Sequence, residues 1–183
     1  MVVAIMLSAT GVASAPQRYA LDPAASEVGF TYRLLGAATR GRMPVARAAL
    51  VIDFTDLSAT RADVVLDVTQ ARAGLIVATE AMRGSRVLDA ARHPTIRFRA
   101  TRTYAAGAGA VMEGDLTVRG TTRPVRLSAR FLRPPGSDPG ARDRIAIELT
   151  GALSRSAFGA SGYPDLVGDR IDIRIRAGLV RAD

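Results

Sequence analysis

Residues 110–131, AVMEGDLTVRGTTRPVRLSARF, contain the pattern that decides the fold. Apolar or small residues alternate with polar residues over 110–119, and the alternation resumes over 123–131. The break between the two halves falls at Gly120, Thr121 and Thr122. A period of two places successive side chains on opposite faces of a β-strand. The stretch therefore predicts an antiparallel hairpin with one apolar and one polar face.

Six further segments alternate in the same way and are predicted as strands: 26–33, 47–54, 61–69, 94–103, 145–153 and 170–177. The Gly- and Ala-rich residues 34–42 predict a connection, although Gly41 is also compatible with a strand kink. Proline and glycine predict loops at 134–140 and 158–167. Between Gln70 and His93 the apolar spacing becomes helical, which predicts one or two short helices. The chain thus has eight amphipathic strands and a short helical insert.

Eight antiparallel strands of this kind either stack as a sandwich or close into a barrel. Closure removes the exposed strand edges, which favours an all-β, eight-stranded antiparallel barrel. The alternation also fits an outer-membrane barrel, whose apolar face turns to lipid. Aromatic residues make up only 5% of the chain, too few for an aromatic girdle at each membrane interface. The barrel with its apolar face inside is therefore the preferred prediction.

The first fifteen residues, MVVAIMLSATGVASA, are predicted to be a secretory signal peptide, followed by one barrel domain over 16–183. The run is apolar and ends in the small-x-small sequence Ala13-Ser14-Ala15. It is too short to span a bilayer, which takes about 20 apolar residues. A mis-assigned leader or a single membrane anchor remain the alternatives. Export of a chain without cysteine fits the bacterial periplasm, so we expect a periplasmic protein.

All 25 basic residues are arginine, and the net charge is +8. Such a charge can attract nucleic acid or anionic lipid. The arginines are dispersed over the polar faces of the predicted strands, without a basic helix or a basic run interleaved with aromatic residues. They are therefore interpreted as a solvated outer surface, and no nucleic-acid partner and no stable membrane insertion are expected.

Catalytic patterns are scarce, and the chain is predicted not to be an enzyme. His93 is the single histidine, so a multi-histidine metal site is excluded, and neither a Gly-x-Ser-x-Gly nor an HExxH pattern occurs. His93 precedes Pro94 and fits a turn or hydrogen-bonding residue better than a catalytic base. Carboxylates such as Asp63 and Glu113 fall on outer faces, where they typically pair with arginines. No metal or catalytic residue is assigned.

The remaining candidate site is the barrel interior. Aromatic and aliphatic residues on the inward parity either fill a core or line a cavity. Small residues at several inward positions, Ala48, Ala62, Ala100, Gly114, Ala129 and Gly151, favour a cavity because they leave room. Both interpretations stay open at this stage.

Four groups of residues resemble signatures of the YceI-like family of periplasmic, polyisoprenoid-binding, lipocalin-like proteins. They are, in order, Tyr19-Ala20-Leu21-Asp22 with Ser26, Val28 and Phe30; Met82-Arg83 with Val87-Leu88-Asp89 and 93–98; 114–120 with Thr122 and Val125; and 154–159 with Val167-Gly168-Asp169. The resemblance extends from Tyr19 to the C-terminus. It implies a lipocalin-like barrel that holds a long-chain isoprenoid lipid or quinone without reacting with it.

Most of the expected ligand-contacting residues are those that strand alternation places inside the barrel, and no cofactor other than the bound lipid or quinone is expected. The expected residues are Phe30, Tyr32, Ile52, Leu66, Met82, Val87, Leu88, Phe98, Met112, Leu116, Leu127, Phe158 and Ile173, with Met82, Val87 and Leu88 at the entrance. Arg83 and Arg155 are candidates for the ligand head group, or else structural ion-pair partners. The family includes dimers, so a homodimer is compatible with the resemblance.

One departure from the family pattern concerns the start of the helical insert. The sequence Ala73-Gly74-Leu75-Ile76-Val77-Ala78 stands where a polar stretch is usual, and it leaves the shape of the entrance open. The principal functional prediction is a periplasmic lipid-binding or carrier protein. The alternatives are a non-enzymatic interaction or stress module with a filled barrel, and an accessory protein of a quinone-linked redox system.

Overall fold

The computed structural model describes residues 16–132 and 141–182. The predicted signal peptide and the proline-rich loop at 134–140 therefore lie outside the described residues. Among the described residues the strands are β1 Gln17–Leu34, β2 Ala37–Arg42, β3 Val45–Ile52, β4 Arg61–Asp67, β5 Thr95–Ala106, β6 Gly109–Val118, β7 Thr121–Leu132, β8 Arg144–Ser154 and β9 Arg170–Arg181. One α-helix, α1, spans Ile76–Arg83, and single 3-10 turns lie at Leu57–Ala59 and Ser156–Phe158.

The strands form a closed antiparallel barrel. From β3 to β9 each strand pairs with the next strand in the chain, and β9 pairs back onto β1. The strands β2 and β3 both pair with β1, at Gly29–Leu34 and Gln17–Tyr19 respectively. They are two halves of one barrel strand, separated at Met43 and Pro44. The predicted eight-stranded barrel with a short helical insert is confirmed.

The first part of the barrel corrects the sequence interpretation. The first strand begins at Gln17 rather than at residue 26, and the predicted connection at 34–42 contains the strand β2. The early half of β1 was missed because its pairing register with β9 shifts between Asp22 and Glu27, and such a bulge interrupts the alternation. The strand β2 was missed because its small residues carry no apolar period.

Two tight turns have the geometry that hairpins favour. Leu35 and Gly36 join β1 to β2 with φ angles of 50° and 83°, and Arg119 and Gly120 join β6 to β7 with 50° and 75°. Two successive residues with positive φ define a type I′ turn, whose twist matches that of the paired strands. The hairpin formed by β6 and β7, which we call the deciding hairpin, therefore turns at Arg119 and Gly120 rather than at Gly120–Thr122.

The register of the deciding hairpin places one apolar parity inside the barrel. Met112 pairs with Leu127, Gly114 with Val125, and Ala110 with Ala129. The arginines of neighbouring strands lie outside, where Arg97 Nε donates to Asp63 Oδ1 at 2.9 Å. This is the reverse of the outer-membrane arrangement. No helix among the described residues is both long and apolar enough to cross a bilayer.

Apolar clusters occupy both ends of the barrel. At one end Tyr19, Ile52, Ile145 and Leu179 are buried together, with Phe54 against them. At the other end the buried cluster contains Met43, Val68, Ala71, Ile96, Leu116, Val118 and Phe158. Met82 of α1 and Leu88 of the following segment pack on this second cluster. The helical insert is therefore the cap of this end, which we call the helical end.

Candidate ligand-binding cavity

Between the two end clusters the barrel contains a cavity of about 300 Å³. This volume lies at the lower limit of the roughly 300–1,000 Å³ found for small-molecule sites. The lining is almost wholly apolar, with side chains contributed by every barrel strand. A surface of this kind binds hydrocarbon through the hydrophobic effect and places few demands on the shape of the ligand.

Most of the ligand-contacting residues expected from sequence line this cavity. They are Phe30, Ile52, Leu66, Met82, Val87, Leu88, Phe98, Met112, Leu116, Leu127, Phe158 and Ile173. The strand residues reach the cavity because they share the inward parity, and Met82, Val87 and Leu88 reach it from the helical end. The structure thus brings these residues together around one space, with the aromatic rings of Phe30 and Phe98 among them.

Tyr32 is the exception. Its side chain is buried, but it lies outside the residues that line the cavity. Its hydroxyl donates a hydrogen bond of 2.7 Å to the carbonyl oxygen of Ala73, and burial raises the pKa of the phenol. Tyr32 therefore supports the segment that leads into α1 instead of contacting cavity contents.

Arg155 lies at the cavity wall but uses its side chain to organise a loop. It is 7% exposed, and it donates to the carbonyl oxygens of Ala160, Gly162, Val167 and Gly168. Four of the five guanidinium N–H groups are occupied in this way. Burial lowers the pKa of Arg155, and the four carbonyls compensate for the lost hydration. Arg155 therefore holds the loop through backbone carbonyl oxygens, a role that differs from both the head-group contact and the ion-pair partner expected from sequence.

Unlike Arg155, Arg83 lies outside the cavity lining. Its Nε and one terminal nitrogen donate to the carbonyl oxygen of Ala71 at 3.1 and 2.8 Å. Its other terminal nitrogen lies 3.8 Å from Oε1 of Glu80 on the same helix. Together with Arg72 it borders a shallow surface groove beside α1. Neither head-group candidate therefore presents a free guanidinium to the cavity.

Thr103 is a polar lining residue that sequence reasoning missed. A register shift between Ala100 and Arg102 inserts one extra residue into β5, so Thr103 faces inward instead of outward. The residue is 4% exposed, and its Oγ1 is the one buried side-chain oxygen or nitrogen in the described part of the chain without a hydrogen-bond partner. The sequence pattern gives no sign of this bulge. Thr101 and Thr103 are both threonine, so the alternation looks the same whether or not Thr103 faces inward.

The small inward residues have mixed roles. Ala48, Ala62 and Ala129 line the cavity, as expected. The space above Gly151 is instead occupied by Leu127, whose Cδ2 lies 2.6 Å from where a Cβ would be. The space above Gly114 is likewise filled by the ring of Phe98. Small residues therefore create room both for the cavity and for neighbouring side chains.

His93 lies away from the cavity lining. Its backbone N–H donates to the carbonyl oxygen of Asp89, and its Cε1 lies 3.5 Å from the Cβ position of Gly120. It thus packs beside the turn of the deciding hairpin. Within residues 16–132 and 141–182, no three metal-ligating side chains come together.

Sequence comparison finds relatives along most of the chain. A UPF0312 protein of Vibrio vulnificus is 25% identical over 172 residues, which cover 89% of this chain and 90% of the relative. A UPF0312 protein of Vibrio parahaemolyticus is 26% identical over 133 residues, covering 69% of this chain and 70% of the relative. The likeness therefore includes the barrel and the helical insert.

Solved structures share the fold. BcnA of Burkholderia cenocepacia matches with a TM-score of 0.75 and 18% identity, over 87% of this chain and 99% of its own. A polyisoprenoid-binding domain from Saccharophagus degradans, implicated in plant cell wall breakdown, matches with a TM-score of 0.64 and 13% identity, over 91% and 99%. The family model of the YceI-like domain matches residues 19–179. With an eight-stranded closed barrel, a capped apolar cavity and this match along nearly all of its length, the chain belongs to the YceI-like family.

Proposed function

We propose that the protein is a periplasmic lipid-binding or carrier protein that holds a long-chain isoprenoid lipid or quinone in the barrel without reacting with it. The observation that carries the proposal is the barrel cavity of about 300 Å³ with an almost wholly apolar lining. The Saccharophagus domain with the same fold is a polyisoprenoid-binding domain, which supports an isoprenoid as the ligand class.

The energetics of the cavity are compatible with this role. Burying hydrocarbon contributes roughly 0.8 kcal/mol per methylene. About ten enclosed carbons therefore contribute about 8 kcal/mol, from which the cost of immobilising a flexible tail is subtracted. Aliphatic lining residues such as Val64, Leu149 and Ile175 provide apolar contacts that suit any saturated or isoprenoid chain.

Native mass spectrometry of protein purified from its own host, followed by organic extraction, tests the proposal. We expect a stoichiometric amphiphile with a long hydrocarbon tail, released only after the protein is denatured. An empty protein that also fails to take up added isoprenoid quinone would overturn the proposal and favour an interaction module with a filled barrel. A comparison of periplasmic and cytoplasmic fractions tests the compartment separately.

A further inference from the structure

The helical end of the barrel carries a group of exposed aliphatic side chains. Ile76 and Val77, in the first turn of α1, are 84% and 80% exposed, and Leu75 beside them is 59% exposed. Leu35 and Leu166 are exposed at the same end, and the N–H of Leu35 donates to the carbonyl oxygen of Leu166 at 2.8 Å. Single exposed aliphatic residues are common, but a group of them marks an interaction surface. We call the three consecutive residues Leu75, Ile76 and Val77 the apolar tip.

The tip is held in position by hydrogen bonds. Thr79 Oγ1 accepts from the N–H of Ala73 and donates to the carbonyl oxygen of Leu75. The hydroxyl of Tyr32 holds the carbonyl oxygen of Ala73 from the barrel side. Gly74, with a φ of 84°, turns the chain so closely against β2 that a Cβ would lie 2.9 Å from the carbonyl oxygen of Arg40. The exposure of residues 75–77 is therefore built into the fold.

Arginines outnumber acidic residues in the two chain segments next to the tip. Residues 33–42, which form the neighbouring hairpin, contain three arginines and no acidic residue, and residues 72–86 contain three arginines and one glutamate. The side chains of Arg72 and Arg83 border the same groove as Leu75 and Ile76. Glu80 also borders it and lies near Arg83, and Asp165 precedes Leu166. Among the ion pairs of the described residues, none involves Arg40 or Arg72.

We propose that the apolar tip docks peripherally on an anionic lipid bilayer, with Arg40 and Arg72 against the lipid phosphates. Exposed aliphatic side chains next to basic residues match the apolar interior and charged surface of such a bilayer. A folded protein partner would instead be expected to bury more than a few side chains. The same helix carries Met82 toward the cavity, so docking brings the cap of the cavity to the membrane surface. This surface goes beyond the proposed function, since it does not depend on the identity of the bound lipid.

Flotation of the full chain with phosphatidylcholine vesicles, with or without phosphatidylglycerol, tests the proposal. We expect binding only to the anionic vesicles, and weaker binding at high salt because exposed charges are screened. The double variant Ile76→Gln/Val77→Gln should bind at least about tenfold more weakly. Arg40→Gln/Arg72→Gln should bind roughly 25-fold more weakly, at about fivefold per arginine.

Matched controls lie at the opposite end of the barrel. Leu132→Gln and Arg130→Gln change an exposed leucine and an exposed arginine there, and both should bind as the wild type does. Absence of binding to anionic vesicles, or equal losses in the tip and control variants, would overturn the proposal. Mass spectrometry of the bound lipid is run on the same preparations. Wild-type protein that carries lipid but does not bind vesicles refutes the docking surface alone. Protein that binds vesicles but is empty and takes up no added isoprenoid quinone refutes the carrier function alone.

Discussion

Gly114 lies diagonally across the β5–β6 pair from Phe98, and the ring of Phe98 occupies the place of a side chain at position 114. A Cβ at Gly114 would lie 2.6 Å from two ring carbons of Phe98 and 2.5 Å from the carbonyl oxygen of Arg99. Distances this short force neighbouring atoms to move. The glycine therefore determines where an aromatic ring of the cavity wall lies.

Gly114→Ala is expected to lower the free energy of unfolding by about 2–3 kcal/mol, because overpacking forces the ring and the backbone apart. The measurement is urea denaturation followed by circular dichroism. The pair Phe98→Leu and Phe98→Leu/Gly114→Ala serves as the control. If the ring is the main obstacle, alanine costs less in the leucine background, and an equal cost in both backgrounds would assign the effect to the Arg99 carbonyl.

Ala48 and Ala49 are consecutive residues on opposite faces of β3. Ala48 lines the cavity, whereas Ala49 is exposed on the outer face. Ala48→Phe is expected to reduce bound lipid several-fold, with a change in unfolding free energy within about 1 kcal/mol, because the ring enters existing space. Extraction and quantification of lipid per protein chain measure the effect. Ala49→Phe should leave the lipid content unchanged, and equal losses in both variants would contradict the inward placement of Ala48.

The unpaired hydroxyl of Thr103 predicts that its removal stabilises the protein. A buried hydroxyl without a partner costs roughly 1–3 kcal/mol, and valine has nearly the same shape. Thr103→Val should raise the free energy of unfolding by about 1 kcal/mol, as measured in urea. A variant that is less stable only when lipid is present would show instead that the hydroxyl contacts the ligand after a rotation of the side chain.

Arg155→Ala is expected to lower the free energy of unfolding by about 2–4 kcal/mol, since it leaves four loop carbonyl oxygens without their donor. Hydrogen exchange should rise over residues 159–168, which the guanidinium holds. Arg130→Ala, on an exposed strand position, is the control and should change neither quantity. Unaltered stability together with loss of bound lipid would reverse the assignment and make Arg155 a head-group contact.

The hydrogen bonds of Asp53 lead us to expect that the free energy of unfolding depends on pH. Its Oδ1 accepts from the hydroxyl of Thr55 at 2.7 Å and from the N–H groups of Thr55 and Asp56 at 2.8 and 2.9 Å. These bonds, the Thr55 hydroxyl first, hold the pKa of Asp53 below its ordinary value of 3.8. The ionised form is therefore favoured more in the folded than in the unfolded chain.

It follows that this stabilisation is complete above pH 3.8 and is lost as the pH falls through the lower pKa of the folded state. Asp53→Asn should be less stable than wild type at neutral pH, and the difference should close in acid. Urea denaturation across this pH range measures it, with Asp115→Asn on the exposed outer face of β6 as the control. A difference that stays constant with pH would exclude the carboxylate charge as its cause.

Alternation was enough to predict most of the strands and most of the inner wall, whereas the choice of a barrel over a sandwich rested on the removal of exposed strand edges. A period of two is a local property, so the inward parity of Met112, Leu116 and Leu127 follows from their spacing once one face is apolar. The type and approximate place of α1 followed in the same way from a change of period. These features need no knowledge of which strand pairs with which.

What the sequence could not supply depends on pairing between distant residues. The bulges in β1 and β5 appear only in the pairing of these strands with β9 and β6. The first interrupts the alternation in the early half of β1, and the second turns Thr103 inward. The N–H groups of Arg155 donate to carbonyl oxygens that lie 5 to 13 residues later in the chain. Residue spacing does not reveal these hydrogen bonds, because they depend on the path of the loop. Residues 75–77 are exposed because Gly74 and Tyr32 fix the chain against the barrel. Local periodicity thus determined which residues face inward in most strands, whereas only the closed barrel decided which polar groups are satisfied and which apolar ones remain outside.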